Sequence, residues 1–350
     1  MGFRETLHWA RIKYPRFFSL LTPLQVPVRF TVKFVHYLGI AASTRATTLD
    51  LLRYASQRNV GEVIGLLTVK NEIDRIAACL AHHRRLGVRE FSVVDNGSTD
   101  GTLEFLMKQE DVNLYQTKSS YKRAHYGITW INCLFHMHAQ GRWALFIDAD
   151  ELLFIDQMNT ENPLKNFIEL LKRSQQTYMY APMIDLYDFD DQEIRLATNV
   201  ELLDKALLTA RQDLDSYHPH TLMKNGLYAL KGGPRGQLAE FAGRTEPLLT
   251  KFPLVRYGYF RYFTASAHEF MPEAREKHVM SGWLAHLKLG NEMARRHSDP
   301  DIEREHYGSG AEREHISKMN DLGSVVSDLS SIQFRGMSSL EMLRSKVNGK

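Results

Sequence analysis

The feature that most constrains the fold is an alternation of apolar runs with helical patterns between residues 62 and 147. Four apolar runs predict buried strands, at residues 63–69, 90–95, 112–115 and 143–147. Intervening stretches carry apolar residues three or four positions apart and predict helices, most clearly at residues 73–86 and 124–139. Strands joined by such helices lie parallel in one sheet. The sequence therefore predicts an α/β fold with a mixed, mainly parallel sheet flanked by helices.

Three carboxylates end the last of these runs. Asp148, Asp150 and Glu151 follow directly after the apolar residues 143–147. Ligands of open parallel sheets bind beyond the carboxyl ends of the strands, so we expect these side chains to face a crevice. On an extended chain, Asp148 and Asp150 point to the same side and can share one hard cation. The alternative is a polar strand end whose carboxylates are only solvated.

Composition excludes several classes of protein. Of the 350 residues, 43% are hydrophobic and 24% are charged, which is typical of a globular chain and argues against disorder. The net charge of +3 is too small to make nucleic acid the expected partner. Cys79 and Cys133 lie in apolar helical stretches, so we expect no disulfide framework and no zinc site. Because no apolar run is long enough to span a bilayer, we expect a cytoplasmic protein, soluble or peripheral at the inner face of the membrane.

Positive charge is concentrated in residues 1–60, a basic N-terminal extension with nine Lys or Arg residues and two acidic ones. Its mixture of aromatic and basic residues is typical of segments that lie on an anionic membrane surface. The alternative is a helical extension packed on the main domain. We favour the second interpretation because Pro15, Pro23 and Pro27 interrupt any long amphipathic helix.

Three motifs at successive strand ends resemble a known enzyme family. They are TVKNE at residues 68–72, VVDNGSTDGT at residues 93–102 and FIDADE at residues 146–151. In this order and spacing they resemble the nucleotide-sugar half of glycosyltransferase family 2, over roughly residues 62–155. The resemblance implies a GT-A fold, which is Rossmann-like, and Mn²⁺ or Mg²⁺ held by the Asp-x-Asp pair. It also implies an inverting transfer from a nucleotide sugar, UDP-linked by our prediction, to a hydroxyl of a surface glycan or lipid-linked acceptor.

The resemblance also suggests donor-binding residues. Asp95 can accept a hydrogen bond from the uracil imide or from a ribose hydroxyl, and Gly97 lets the backbone turn close to the ligand. Glu72 resembles the acid that lies near the ribose. Lys70 and Arg123 are candidate cations for the base or the diphosphate, and a solvated surface role is an equal alternative for each. Residues 61–158 are accordingly predicted to form the nucleotide-sugar-binding half.

A divalent cation would neutralise the charge that develops on the departing nucleoside diphosphate. Asp150 is the first candidate ligand, and Asp148 reaches either the ribose or the metal through water. Glu151 is expected behind the ligands or near the acceptor. The motifs Leu-x-His-x-Lys and Ser-x-His resemble the closing part of a bacterial subgroup of these transferases, which makes His286 the candidate third ligand and His268 the reserve. The alternative is that both histidines are hydrogen-bonded core residues.

The second half, residues 159–290, is predicted to bind the acceptor. After a predicted strand at 178–184, residues 185–225 are interpreted as acceptor-facing loops. In the Gly-Gly-Pro-Arg segment, Arg235 is a candidate ligand for an anionic donor group, or alternatively an exposed residue of a tight turn. The catalytic base is predicted to be Glu269 or Glu240, with Asp188 a weaker candidate.

Residues 291–350 predict a polar helical C-terminal tail, so the chain has helical extensions at both ends of the α/β domain. Two rival functions remain. A nucleotidyltransferase also uses carboxylate-bound Mg²⁺, but it would normally carry a glycine-rich phosphate loop after the first strand, where this chain has Lys70-Asn71-Glu72. A non-catalytic membrane-associated adaptor of the same fold would not need both Asp148 and Asp150.

Overall fold

A computed structural model describes residues 28–56, 61–223, 226–241, 245–272, 282–289, 332–334, 343, 344 and 347. The helices are α1 Val28–Ala46, α2 Ile76–Leu86, α3 Thr102–Met107, α4 Ile128–His138, α5 Pro163–Arg173, α6 Asp191–Leu196, α7 Val200–Ala206 and α8 Gly233–Phe241. The first eight strands are β1 Asp50–Arg53, β2 Val63–Val69, β3 Phe91–Asp95, β4 Val112–Gln116, β5 Trp143–Phe146, β6 Glu151–Ile155, β7 Ala181–Tyr187 and β8 Arg211–Gln212. The others are β9 His218–Leu222, β10 Tyr228–Lys231, β11 Thr250–Lys251, β12 Leu254–Arg256, β13 Tyr262–Phe263, β14 Phe270–Met271, β15 Gly282–Leu289 and β16 Ile332–Gln333.

The first sheet has the strand order β1-β4-β3-β2-β5-β12. Its four inner strands are parallel, while β1 and β12 add antiparallel edges. The inner strands are almost wholly buried because helices cover them, which explains their continuous apolar sequence. The predicted fold class, a mixed and mainly parallel sheet flanked by helices, is confirmed.

A second sheet has the order β16-β8-β7-β15-β6, and β11 also pairs with β7. Strand β15 runs antiparallel to β6 on one side and parallel to β7 on the other. The chain leaves the first sheet at the end of β5 and enters the second at β6, so residues 147–150 connect the two. Strand β12 then returns to the first sheet and pairs with β5. The acidic turn therefore lies at the junction of both sheets.

The interpretation of residues 185–225 as loops is wrong. This segment continues β7 through Tyr187 and then forms α6, α7, β8 and β9. Asp190 and Asn199 cap the two helices, their side chains accepting from the backbone N–H groups of Gln192 and Leu202. Asp185 is fully buried in β7, where an acid is unfavourable unless its charge is compensated, and here Arg235 and His286 from distant segments compensate it.

Helix α1 packs on the rest of the fold. Val35 and Ile40 are buried, and the Cys133 thiol of α4 donates to the carbonyl of Thr44 at 3.3 Å. Residues 1–27 of the predicted extension, and nearly all of the predicted tail 291–350, lie outside the described residues. Among the helices that the structure describes, none combines the length and the apolar character needed to cross a bilayer.

A buried histidine joins α2 to the second sheet. The Nδ1–H of His83 donates to the Cys79 carbonyl at 2.8 Å, and its Nε2 accepts from the backbone N–H of Leu153 at 3.4 Å. The neutral ring satisfies both contacts, whereas a proton on Nε2 would oppose the Leu153 N–H. Burial lowers the pKa of His83 to about 4.

Candidate active site

Two turns meet at the carboxyl edge of the first sheet. Asn71, in the turn after β2, receives a hydrogen bond from the Thr99 N–H at 2.8 Å and donates its own N–H to Ser98 Oγ at 2.9 Å. The predicted residues Lys70, Glu72 and Gly97 lie in these cross-linked turns. The backbone N–H of Glu72 is held by Thr102 Oγ1 at 2.8 Å, and Gly97 has the positive φ of 76° that favours glycine.

Asp95 ends β3 at the same edge and is fully buried. Its Oδ1 accepts from the N–H groups of Gly97 and Ser98 at 3.0 and 3.1 Å, and from Gln116 Nε2 at 3.3 Å. Its Oδ2 has no hydrogen-bond partner among the residues that the structure describes. A buried carboxylate oxygen without a donor is costly, so this atom fits a ligand that brings an N–H or O–H group.

The acidic motif is a turn, not an extended segment. Ala149 and Asp150 lie in the turn, which is closed by the Glu151 N–H donating to the Asp148 carbonyl at 3.1 Å. The expectation that Asp148 and Asp150 project alike from an extended chain is therefore corrected. Glu151 is fully buried, and its Oε2 accepts from the Asp148 N–H at 3.2 Å. Its buried carboxylate therefore stabilises the turn.

Lys251 contacts two of the three acids. Its Nζ donates to Asp148 Oδ2 at 2.7 Å and also to Glu151 Oε1. Burial opposes its charge, but Asp148 and Glu151 outweigh burial and raise the pKa of Lys251. This lysine is not among the site residues predicted from the sequence. No local pattern reveals the contact, because 103 residues separate Lys251 from Asp148.

His286 reaches Asp150. It lies on β15 directly between Glu151 of β6 and Asp185 of β7. Its Nδ1–H donates to Asp185 Oδ1 at 2.7 Å, and its Nε2 lies 3.3 Å from Asp150 Oδ2. Burial and Arg235 disfavour the charged ring, but Asp150 and Asp185 outweigh them and raise the pKa of His286. The Asp185 bond fixes the ring so that Nε2 is directed at Asp150.

Two arginines complete the charge network. Arg75 lies 3.8 Å from Asp150 and 3.2 Å from the buried Asp191. Arg235 lies in α8, not in an exposed turn, and its Nε donates to both oxygens of Asp185 at 2.8 and 2.9 Å. Although burial alone would raise it, the pKa of Asp150 is held well below its ordinary value by His286, Lys288 and Arg75. Asp150 is therefore an ionised carboxylate at neutral pH. The role of Arg235 as a donor ligand stays a prediction.

The site fits a divalent cation that is shared with a ligand rather than one enclosed by protein. In the described ranges, no three His, Cys, Asp or Glu side chains form a cluster ready to hold a metal. Asp148 is 43% exposed, and its contact with Lys251 uses Oδ2 only. Mg²⁺ in particular is usually held by one or two carboxylates together with substrate phosphates and water, which matches this arrangement.

Three other predicted site residues, His268, Glu269 and Glu240, lie in different surroundings. His268 donates from Nδ1 to the Thr250 carbonyl at 2.5 Å, and burial lowers its pKa to about 4. Glu269 pairs with Lys33 of α1 and accepts from Thr264 Oγ1 at 3.3 Å. Glu240 is exposed on α8, about 140° around the helix from Arg235.

Two further candidates, Arg123 and Asp188, are exposed. None of the contacts of the acidic turn described above involves either residue. Their assigned functions remain predictions.

Comparison with known proteins identifies the enzyme class. Residues 64–201 match the model of Glycosyltransferase family 92, which covers less than half of the chain. No curated protein matches the chain significantly. The assignment to family 2 is not confirmed by this match.

Two solved structures align weakly. The mannosyltransferase PcManGT from Pyrobaculum calidifontis, in complex with GDP-Man and Mn2+, is 18% identical with a TM-score of 0.26, and the alignment covers 43% of each chain. HddC from Yersinia pseudotuberculosis is 9% identical with a TM-score of 0.32, over 65% of this chain and 90% of that one. These TM-scores are too low to support a conclusion. The family match shows that the chain contains a glycosyltransferase domain.

Proposed function

We propose that the protein moves a sugar from a UDP-linked donor to a hydroxyl acceptor, in a metal-dependent reaction that inverts the sugar carbon. The observation that carries the choice of uridine is the unsatisfied Oδ2 of the buried Asp95. Its Oδ1 already accepts three hydrogen bonds, so a single oxygen is left for the base. Uracil offers one imide N–H, whereas guanine presents two adjacent donors that would need both oxygens. Asp95 therefore favours a uracil base.

The diphosphate belongs at the acidic turn on the same edge of the sheet. Asp150 and Asp148 are the proposed metal ligands, and His286 is the proposed third ligand through Nε2, oriented by Asp185. A bound Mn²⁺ or Mg²⁺ would neutralise charge on the departing diphosphate. Lys70, Glu72, Gly97 and Arg123 are proposed as further donor contacts, because the first three share the cross-linked turns beside Asp95.

Inversion requires a base that takes the proton of the acceptor hydroxyl as that oxygen attacks the sugar carbon and the sugar–phosphate bond breaks. Glu269 is the preferred candidate. It follows His268, which is hydrogen-bonded to Thr250 on the strand that carries Lys251, so its segment is linked to a strand that contacts the acidic turn. Glu240 is the second candidate.

The proposed acceptor is a surface glycan or a lipid-linked glycan, with peripheral membrane contact through residues 1–60. Lys33, Leu38 and Arg45 are exposed on α1. Beside this helix, Tyr259 and Phe260 are 64% and 68% exposed, and Tyr37 of α1 donates to the Phe260 carbonyl at 2.8 Å. Exposed rings beside basic side chains are typical of membrane-surface segments.

The test combines thermal unfolding with product analysis. UDP, CDP and GDP, with their sugar conjugates, are added in Mn²⁺ or in chelator, and sugar hydrolysis and transfer are followed by mass spectrometry. We expect UDP ligands to raise the melting temperature, and the shift to be lost in chelator. Absence of any shift with uridine nucleotides in Mn²⁺ would contradict the proposal, and an equal shift in chelator would contradict its metal dependence.

A further inference from the structure

Lys251 is as buried as Arg75, but it differs from Arg75 in pairing with two acids of the acidic turn. Only 4% of its side chain is exposed, and its two partners are Asp148 and Glu151. Asp148, in contrast, is 43% exposed, so one side of this ion pair opens to solvent and to any ligand. The ammonium group thus occupies a cation position on the carboxylate that is also a proposed metal ligand.

The surrounding charges are already largely compensated by protein side chains. Two neighbouring groups of ion pairs contain five carboxylates, on Asp148 and Glu151 in one group and on Asp150, Asp185 and Asp191 in the other. Three permanent cations are paired with them, on Lys251, Arg75 and Arg235, and His286 bridges two of the acids. A divalent ion alone would gain little from this cluster, because it must compete with the ammonium group for Asp148. A nucleoside diphosphate brings additional negative charge, which can pair with both the ammonium group of Lys251 and the divalent ion.

We propose that Lys251 is a resident counter-ion that makes metal binding depend on the nucleotide. In the absence of ligand it holds Asp148 and Glu151 in place of a divalent cation. When the nucleotide and the metal bind together, the diphosphate becomes a second partner for the ammonium group, and Asp148 is released toward the metal. This inference rests on the proposed function and deepens it, since it assigns the order in which the site accepts its ligands.

A purely structural ion pair predicts a different outcome. If Lys251 only held the turn in shape, its removal would loosen the turn and weaken the binding of metal and nucleotide alike. A counter-ion competes with the metal, so its removal strengthens the binding of metal alone and weakens the coupling between metal and UDP. The sign of the change in metal affinity therefore separates the two roles.

The experiment measures Mn²⁺ binding by the electron paramagnetic resonance of the free ion, with and without UDP. For the wild type we expect UDP to tighten Mn²⁺ binding at least about tenfold. For Lys251→Met we expect Mn²⁺ alone to bind about tenfold more tightly than to the wild type, and the effect of UDP on Mn²⁺ affinity to shrink by a similar factor. Lys251→Arg keeps the charge and should behave as the wild type does.

Lys172→Met is the matched control, because Lys172 also pairs with a carboxylate, Glu62, in an exposed ion pair. We expect it to leave Mn²⁺ affinity unchanged. Lys251→Met leaves the buried Glu151 without its partner and can reduce folding, so the double variant Lys251→Met/Glu151→Gln is measured as well. It removes both members of the buried pair while leaving Asp148 free, and it too should bind Mn²⁺ alone more tightly.

A folded variant whose Mn²⁺ affinity is unchanged or weaker would overturn the counter-ion role. So would a wild type whose Mn²⁺ affinity is the same with and without UDP while UDP is bound. Failure of the wild type to bind UDP at all would instead count against the proposed function. In that case the Mn²⁺ affinity of the Lys251 variants still decides whether the ammonium group competes with the metal.

Discussion

Asp95→Asn tests the recognition of the base with almost no change in shape. The amide oxygen can keep the three hydrogen bonds that Oδ1 now accepts from Gly97, Ser98 and Gln116. The amide nitrogen then replaces Oδ2, the buried atom that has no partner among the described residues. An acceptor facing the ligand becomes a donor, while the turn after β3 keeps its support.

The size of the effect follows from that exchange. In the proposed complex the wild-type carboxylate accepts one charge-assisted hydrogen bond from the uracil imide, and such bonds contribute about 1.5–3 kcal/mol. In the variant the new amide N–H faces the imide N–H of uracil, and neither group can accept a hydrogen bond. The contribution is therefore lost, and UDP affinity falls by about 10- to 150-fold. Cytosine carries an acceptor at the same ring position, to which the amide of the variant can donate. We therefore expect CDP affinity to rise or stay constant while UDP affinity falls.

Isothermal titration of UDP and CDP in saturating Mn²⁺ measures both constants, and thermal unfolding without ligand checks the fold. Asp191→Asn is a suitable comparison, since Asp191 is also a buried carboxylate but pairs with Arg75. It should not change the preference between UDP and CDP. Equal losses for both nucleotides in Asp95→Asn, or no loss of UDP affinity, would refute the assignment of Asp95 to the base.

Three more results are expected. Asp150→Ala should abolish the Mn²⁺-dependent part of UDP binding in calorimetry and leave unfolding cooperative, and unchanged metal dependence would rule out Asp150 as a ligand. Glu269→Gln should lower kcat by about 10²–10⁴ with little change in donor affinity, whereas Glu240→Gln should have a small effect; the reverse order would exchange their roles. His83 stays neutral in the fold, with a pKa of about 4, while its unfolded pKa is about 6.5, so stability is lost as pH falls from 6.5 toward 4. When the pH falls from 7 to 4.5, the free energy of unfolding measured in urea should fall by about 2.5 kcal/mol less for His83→Gln than for the wild type. Equal losses in the two proteins would contradict this reasoning.

Local patterns predicted the first half of the molecule well. The strand predicted at residues 63–69 is β2 Val63–Val69, and the other three predicted strands of this half differ from the observed ones by one residue at an end. Buried parallel strands and the helices that cover them carry continuous or periodic apolar residues, which a sequence displays directly. The second half was predicted less well, because its strands are short and its helices α6 and α7 depend on caps and on burial against α2 rather than on length.

The sequence alone predicts that carboxylates follow β3 and β5 at one edge of a parallel sheet, because the alternation of strands with helices and the residues at strand ends are local features. The residue types of the proposed nucleotide-sugar site could also be recognised in the sequence. Which side chains face one another became apparent from the folded chain. The antiparallel register of β15 with β6 and its parallel register with β7 place His286 between Glu151 and Asp185, and β11 brings Lys251 to the acidic turn. These contacts join residues about 100 positions apart, and charge compensation inside a protein depends on distance in space, which local sequence does not encode.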